Sequence, residues 1–277
     1  MLRLRGTFQA LRGCPYDRPK PVAVALVAVV QAAVVRFMPT YLIARSRAGP
    51  RRRGWSAENR LKHVLGLVAA ALVALLLGNH VIAAAPLDAL SSFMATHILL
   101  MNVVAPLLAM ATIVLLGSGT GRLASTASLV AATLAQLVML AAAHVPSVYA
   151  ILGGSSLHSV AHVCLFAVSV WFWLAVLGTH GAGRWRSVVA LLVTGKLVCL
   201  MAAILVLAPR MLFVGPSHVT HGASLADQHL AGLLMLAACP LTYVMAGVVI
   251  AAQWLRDLVD GNARAGPLGE TQPQRVP

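Results

Sequence analysis

Acidic residues are scarce: Asp and Glu together number 7 among 277 residues. So few carboxylates argue against hydrolytic chemistry, and the H-E-x-x-H pattern of zinc proteases is absent. Cysteine is sparse too. Its four copies, Cys14, Cys164, Cys199 and Cys239, show no C-x-x-C spacing, which excludes a thiolate metal clamp or a redox pair. The last three are expected to be apolar packing residues. Gly-rich phosphate loops are missing, because "GGSS" at 153–156 is an ordinary turn before a helix. The chain also lacks an internal repeat and a long soluble domain. Its basic N-terminus is not followed by a small-residue cleavage site, so an uncleaved first helix is expected.

Apolar residues dominate instead. They make up 60% of the chain against 10% charged, with a mean hydropathy of +0.85. Crossing a bilayer takes about 20 mostly apolar residues. Seven such segments can be marked, at 21–44, 61–84, 90–116, 123–143, 156–178, 187–209 and 229–254. The expected fold is all-α, a polytopic transmembrane bundle of seven helices, or six if the first segment, interrupted by Arg36 and followed by Pro39, does not span. A basic tail (1–20) precedes the transmembrane domain (21–258), and a Gly/Pro/polar tail (259–277) is expected to be disordered.

The formal charge of +14 does not point to nucleic acid, because the cations are distributed by side. Arg45, Arg47, Arg51, Arg52, Arg53, Arg60 and Lys62 follow the first segment, and Arg122, Arg184, Arg186 and the three arginines after the last segment fall on that same side. The opposite side has Arg210 and the N-terminal tail. The positive-inside rule then puts the C-terminus in the cytoplasm.

Histidine follows the opposite bias. Eight of ten (His80, His97, His144, His158, His162, His218, His221, His229) fall in or near the loops facing away from the cytoplasm, as do Asp88 and Asp227. His158 and His162 are four apart and share a helix face. Met94, His97 and Met101, spaced three and four apart, form one stripe of two thioethers and an imidazole. Such donors suit a soft ion such as Cu(I). An ionisable His97 inside an apolar run is a functional expectation by default. The bland alternatives are that single outer histidines such as His80, His218 and His221 bond to a neighbouring helix or interfacial water, and that the methionines only pack. Lys196, nearer mid-membrane, has no assigned role.

The succession "APLDAL", "SSFMATHILLMNVVAPLL", "AAHVPSVYAILGGSSLHSVAHVCLFAVSVWFW" and "SLADQHLAGLLML" with "AAQWLR" resembles the membrane-integral CtaG family of cytochrome c oxidase assembly factors over about residues 40 to 256. The matching residues are Pro86, Leu87, Asp88, Met94, His97, His144, Pro146, Tyr149, His158, His162, Asp227, Gln228, Gly232 and Met235. Phe93 stands where the family usually has a first histidine, so one candidate ligand is lost. The resemblance implies a bacterial plasma-membrane protein, not an enzyme. Such a protein holds or delivers copper at the outer face to an oxidase subunit carrying a copper centre. His97, His158 and His162 are the leading ligand candidates, with His144, His229 and the sulfur of Met94 or Met101 nearby. Asp88 and Asp227 would orient imidazoles through their free N–H groups. Two alternatives are a copper transporter, which needs donors continuing to the cytoplasmic side, and a b-type haem carrier, for which His63 and His180 alone make a poor inner site.

Overall fold

The computed structural model describes residues 57–117, 121–145, 147–148, 157–213 and 224–265. The N-terminal tail and the expected first span at 21–44 lie outside the described residues. The elements are α1 (Ala57–Ala84), α2 (Ala89–Leu99), a π-helical segment (Leu100–Val104), α3 (Ala105–Leu116), α4 (Thr126–Ala143), α5 (Leu157–Gly178), a 3-10 turn (Gly181–Gly183), α6 (Arg184–Leu207) and α7 (Leu225–Ala265). α2, the π segment and α3 form one continuous span. Among the described residues, six helical runs are long and apolar enough to cross a membrane, and no strand occurs. These features make a multi-pass helical membrane protein, and the runs correspond to the last six apolar segments.

One boundary differs. α7 continues to Ala265, past residue 259, where the polar tail was expected to begin. Just before that extension, Asp257 accepts a hydrogen bond from Arg184 at 2.8 Å, an ion pair between α6 and α7. Polar composition there marks departure from the apolar layer; it does not mark the end of the helix.

Leu72, Leu76, Leu77, Val130, Leu134 and Val138 are exposed along the middle of their helices, as expected of side chains facing acyl chains. Lipid is as apolar as leucine, so burial alone does not drive these helices together; close packing and interhelical polar contacts do. The most extensive pairing is α6 with α7. Gly232 permits it: a Cβ there would lie 2.7 Å from Val206 Cγ2 and 3.0 Å from the Ala202 carbonyl oxygen.

The π segment has an identifiable cause. Pro106 has no N–H, so the carbonyl of Asn102 loses its α-helical partner. The ladder widens, and the Ala105 N–H bonds to the Leu100 carbonyl. A single inserted residue offsets the helix face by about 100°, which lets α2 present a different side of the span from α3. The carbonyl of Met101 accepts from Trp173 Nε1–H at 2.9 Å. The indole stacks on Tyr243, with centroids 5.8 Å apart. These contacts fasten the central span to α5 and α7 one turn below His97.

Candidate metal centre at one end of the bundle

The site is built on the start of α2, and α7 holds that start in place. Asp88 occupies the N-cap position, yet its side chain makes no capping bond and is exposed. Asp227 does the capping from across the bundle: Oδ2 accepts the Leu90 N–H at 3.0 Å and Oδ1 the Ser91 N–H at 3.1 Å. Both backbone donors would otherwise be orphaned at a buried helix end. Ser224 Oγ accepts the Asp227 N–H at 3.0 Å, so α7 has its own hydroxyl cap. The expectation that Asp227 orients an imidazole is a separate matter from this cap. The two Asp227 oxygens bond backbone N–H groups of α2, which lie 136 and 137 residues away in sequence.

Gln228 fastens the other flank. Its Oε1 accepts the Leu212 N–H at 2.7 Å, and its Nε2 donates to the Leu205 carbonyl at 3.3 Å. The connection between α6 and α7 is thus held against α7 itself.

Two turns along α2, His97 is only 1% exposed, and neither ring nitrogen has a hydrogen-bond partner among the described residues. The His144 ring, at the C-cap of α4, lies edge-on to it with centroids 6.0 Å apart. Phe93 sits 5.9 Å from the His97 ring and 4.7 Å from the His162 ring, the latter contact T-shaped. Rings from α2, the end of α4 and α5 therefore meet at one end of the bundle. The family position that Phe93 occupies adjoins two of them, His97 and His162.

His144 is held from two sides. Its Nδ1 lies 2.7 Å from the Leu140 carbonyl oxygen, which can only accept, so Nδ1 carries the proton. Its Nε2 lies 3.1 Å from the sulfur of Met235 on α7. Burial lowers the pKa of this imidazole from its ordinary value, opposed by the bond to Leu140.

The other candidates have varied surroundings. His229 directs Nε2 toward the Ala208 carbonyl at 3.4 Å, on the connection from α6. Met94 and Met101 are buried in the bundle core at 0% and 3% exposure. His63, His80 and His180 are exposed, as is Lys196. The side chain of His158, along with Pro146, Tyr149, His218 and His221, lies outside the described residues. Among the described residues, no three His, Cys, Asp or Glu side chains gather closely enough to hold a metal by themselves.

A second polar layer lies one to two turns deeper. Asn102 Nδ2 donates to Cys239 Sγ at 3.2 Å, and Ser169 Oγ donates to Gln136 Oε1 at 3.1 Å. Cys239 is buried as expected of a packing residue, while Cys164 is exposed and Cys199 intermediate.

Met235 is the member of the cluster that residue-type reasoning passes over. Its available signal is positional. It follows Gln228 by seven residues and Gly232 by three, on the face of α7 that those two turn toward the bundle.

Comparison with curated proteins gives no match, and comparison with solved structures gives none either. The sequence description of the cytochrome c oxidase caa3 assembly factor family (Caa3_CtaG) matches residues 40–257, and the chain belongs to that family.

Proposed function

We propose that this oxidase assembly factor works by holding a copper ion as cargo at the outer face of the plasma membrane and releasing it to the oxidase subunit that carries a copper centre. The approach of the His97 and His144 rings from two helices, with the His162 ring on the far side of Phe93, carries this reading. The donors fit the ion. Two imidazoles on one metal place each ring centroid about 3.2 Å from it, and so at most about 6.4 Å apart, given metal–nitrogen bonds near 2.0 Å. The His97 and His144 rings, 6.0 Å apart, fall within that limit. A buried imidazole with neither nitrogen bonded forfeits a desolvation cost of about 1–3 kcal/mol, which ligation would repay.

In this reading the chain's own residues bind, shield and release. His97 supplies a ligand from the buried face of α2. The Asp227 cap fixes the start of that helix, and the Phe93 ring excludes water between His97 and His162. Few neutral ligands suit an ion that must leave again, whereas a closed four-ligand site would retain it. No bond is made or broken in the cargo's partner, so the role is not enzymatic. The cytoplasmic C-terminus follows from the cation distribution.

Transport through the bundle is the less supported role. It needs donors continuing to the far face, but Lys196 is exposed on α6, and Cys199 and Met201 are only half-buried. The test is a strain lacking the protein, assayed for oxidase activity and oxidase copper content. Wild type restores both and His97→Ala restores neither; full rescue by His97→Ala overturns the proposal.

A further inference from the structure

The contact between His144 and Met235 is chemically incomplete. Nδ1–H of His144 is committed to the Leu140 carbonyl, so in the neutral ring Nε2 presents a lone pair. The group it faces at 3.1 Å, the Met235 thioether sulfur, also presents lone pairs and has no proton to give. Two acceptors therefore point at each other inside contact distance. Met235 is 1% exposed and His144 is partly buried. Only a positive charge shared between them makes the contact favourable. Nitrogen and sulfur donors at about 2.0 and 2.3 Å from one ion, roughly at right angles, lie about 3 Å apart.

The charge the site tolerates is limited by its surroundings. Among the described residues Asp227 is the one buried carboxylate, and both of its oxygens accept backbone N–H groups of α2. Imidazole and thioether are neutral, so a bound ion keeps its full charge. The cost of taking a charge out of water scales with its square, so a divalent ion is penalised about fourfold more than a monovalent one. Phe93 removes a further nitrogen donor from the centre of the cluster, leaving sulfur a larger share of the ligand set. Soft donors favour the monovalent state.

We infer that Met235 is a sulfur ligand of this site and that the His144–Met235 pair makes it selective for monovalent soft ions, Cu(I) or Ag(I), over Cu(II) and Zn(II). This inference rests on the proposed copper-holding role and adds to it a ligand and an oxidation state. The competing account is that the sulfur merely accepts a hydrogen bond from a charged His144.

The test uses full-length protein in detergent, loaded with Cu(I) under reducing conditions and examined by X-ray absorption. Affinities for Cu(I), Ag(I), Cu(II) and Zn(II) are measured in parallel by chelator competition. The expected result is a sulfur neighbour at about 2.3 Å beside nitrogen and a preference for the two monovalent ions. Met235→Leu, which conserves volume, should lose the sulfur signal and weaken Cu(I) binding by roughly tenfold or more, while Met110→Leu on α3 keeps both. The wild-type spectrum does not depend on any variant folding. Bound Cu(I) with a nitrogen-only shell, or equal affinity for divalent ions, overturns this inference and leaves the copper-holding role standing. A wild-type protein that binds no Cu(I) overturns both.

Discussion

The carboxylate of Asp227 accepts the backbone N–H of Ser91 at 3.1 Å, and of its neighbour Leu90 at 3.0 Å, so the last helix caps the second from across the bundle. Losing a helix cap costs about 1 kcal/mol, and leaving a buried donor without a partner costs about 1–3 kcal/mol more. Asp227→Ala should therefore destabilise the protein by about 2–4 kcal/mol in thermal unfolding in detergent. Asp227→Asn keeps one acceptor oxygen and should fall between the two. A melting curve for Asp227→Ala that overlays wild type contradicts the cap.

Phe93 lies between the His97 and His162 rings, where a histidine would bring a further imidazole to the same point. Phe93→His should tighten Cu(I) binding by roughly tenfold, the effect of about 1.4 kcal/mol, and add nitrogen to the metal's shell. Chelator competition checks it; weaker binding would mean that the ring is needed as a shield.

Gly232 sits at a close approach of α6 and α7. Gly232→Val places its Cβ within 2.7 Å of Val206 Cγ2 and 3.0 Å of the Leu205 Cβ. Overpacking of this kind costs about 1–3 kcal/mol. The variant should melt earlier, and because α7 also carries Met235, its copper affinity should fall in the same preparation.

The π segment exposes the Met101 carbonyl, and Trp173 Nε1–H satisfies it at 2.9 Å. Trp173→Phe keeps the stacking on Tyr243 and removes the donor, so about 1–3 kcal/mol of stability should be lost. Amide hydrogen exchange should report the loss first around Leu100–Val104, where the widened ladder is weakest.

The spans were legible because a bilayer imposes a length and a composition on each of them, and six of the marked segments have their helices. His97 was legible for the same reason, since one imidazole in an apolar run stands out. Side and depth suggested imidazoles near one another, and His97 and His144, with centroids 6.0 Å apart, are such a pair. Which thioether joins them could not be anticipated: a methionine in an apolar helix reads as packing, and Met235, not Met94 or Met101, lies beside a ring nitrogen. Asp227 was legible as a residue near the site but not as a cap, because its partners are backbone amides with no signature in their side chains. The turn of α2 into α3 was hidden likewise. Pro106 announces a break in the ladder without saying that it is resolved by a π turn.

Imidazoles from separate helices sharing one copper ion would make binding depend on each of them. Equilibrium binding of Cu(I) to the purified full-length protein, set against His97→Ala and His144→Ala under the same competing chelator, tests this dependence most directly. Wild type should hold about one ion tightly per chain, and each variant should lose at least tenfold in affinity. Unchanged affinity in both variants would contradict such sharing.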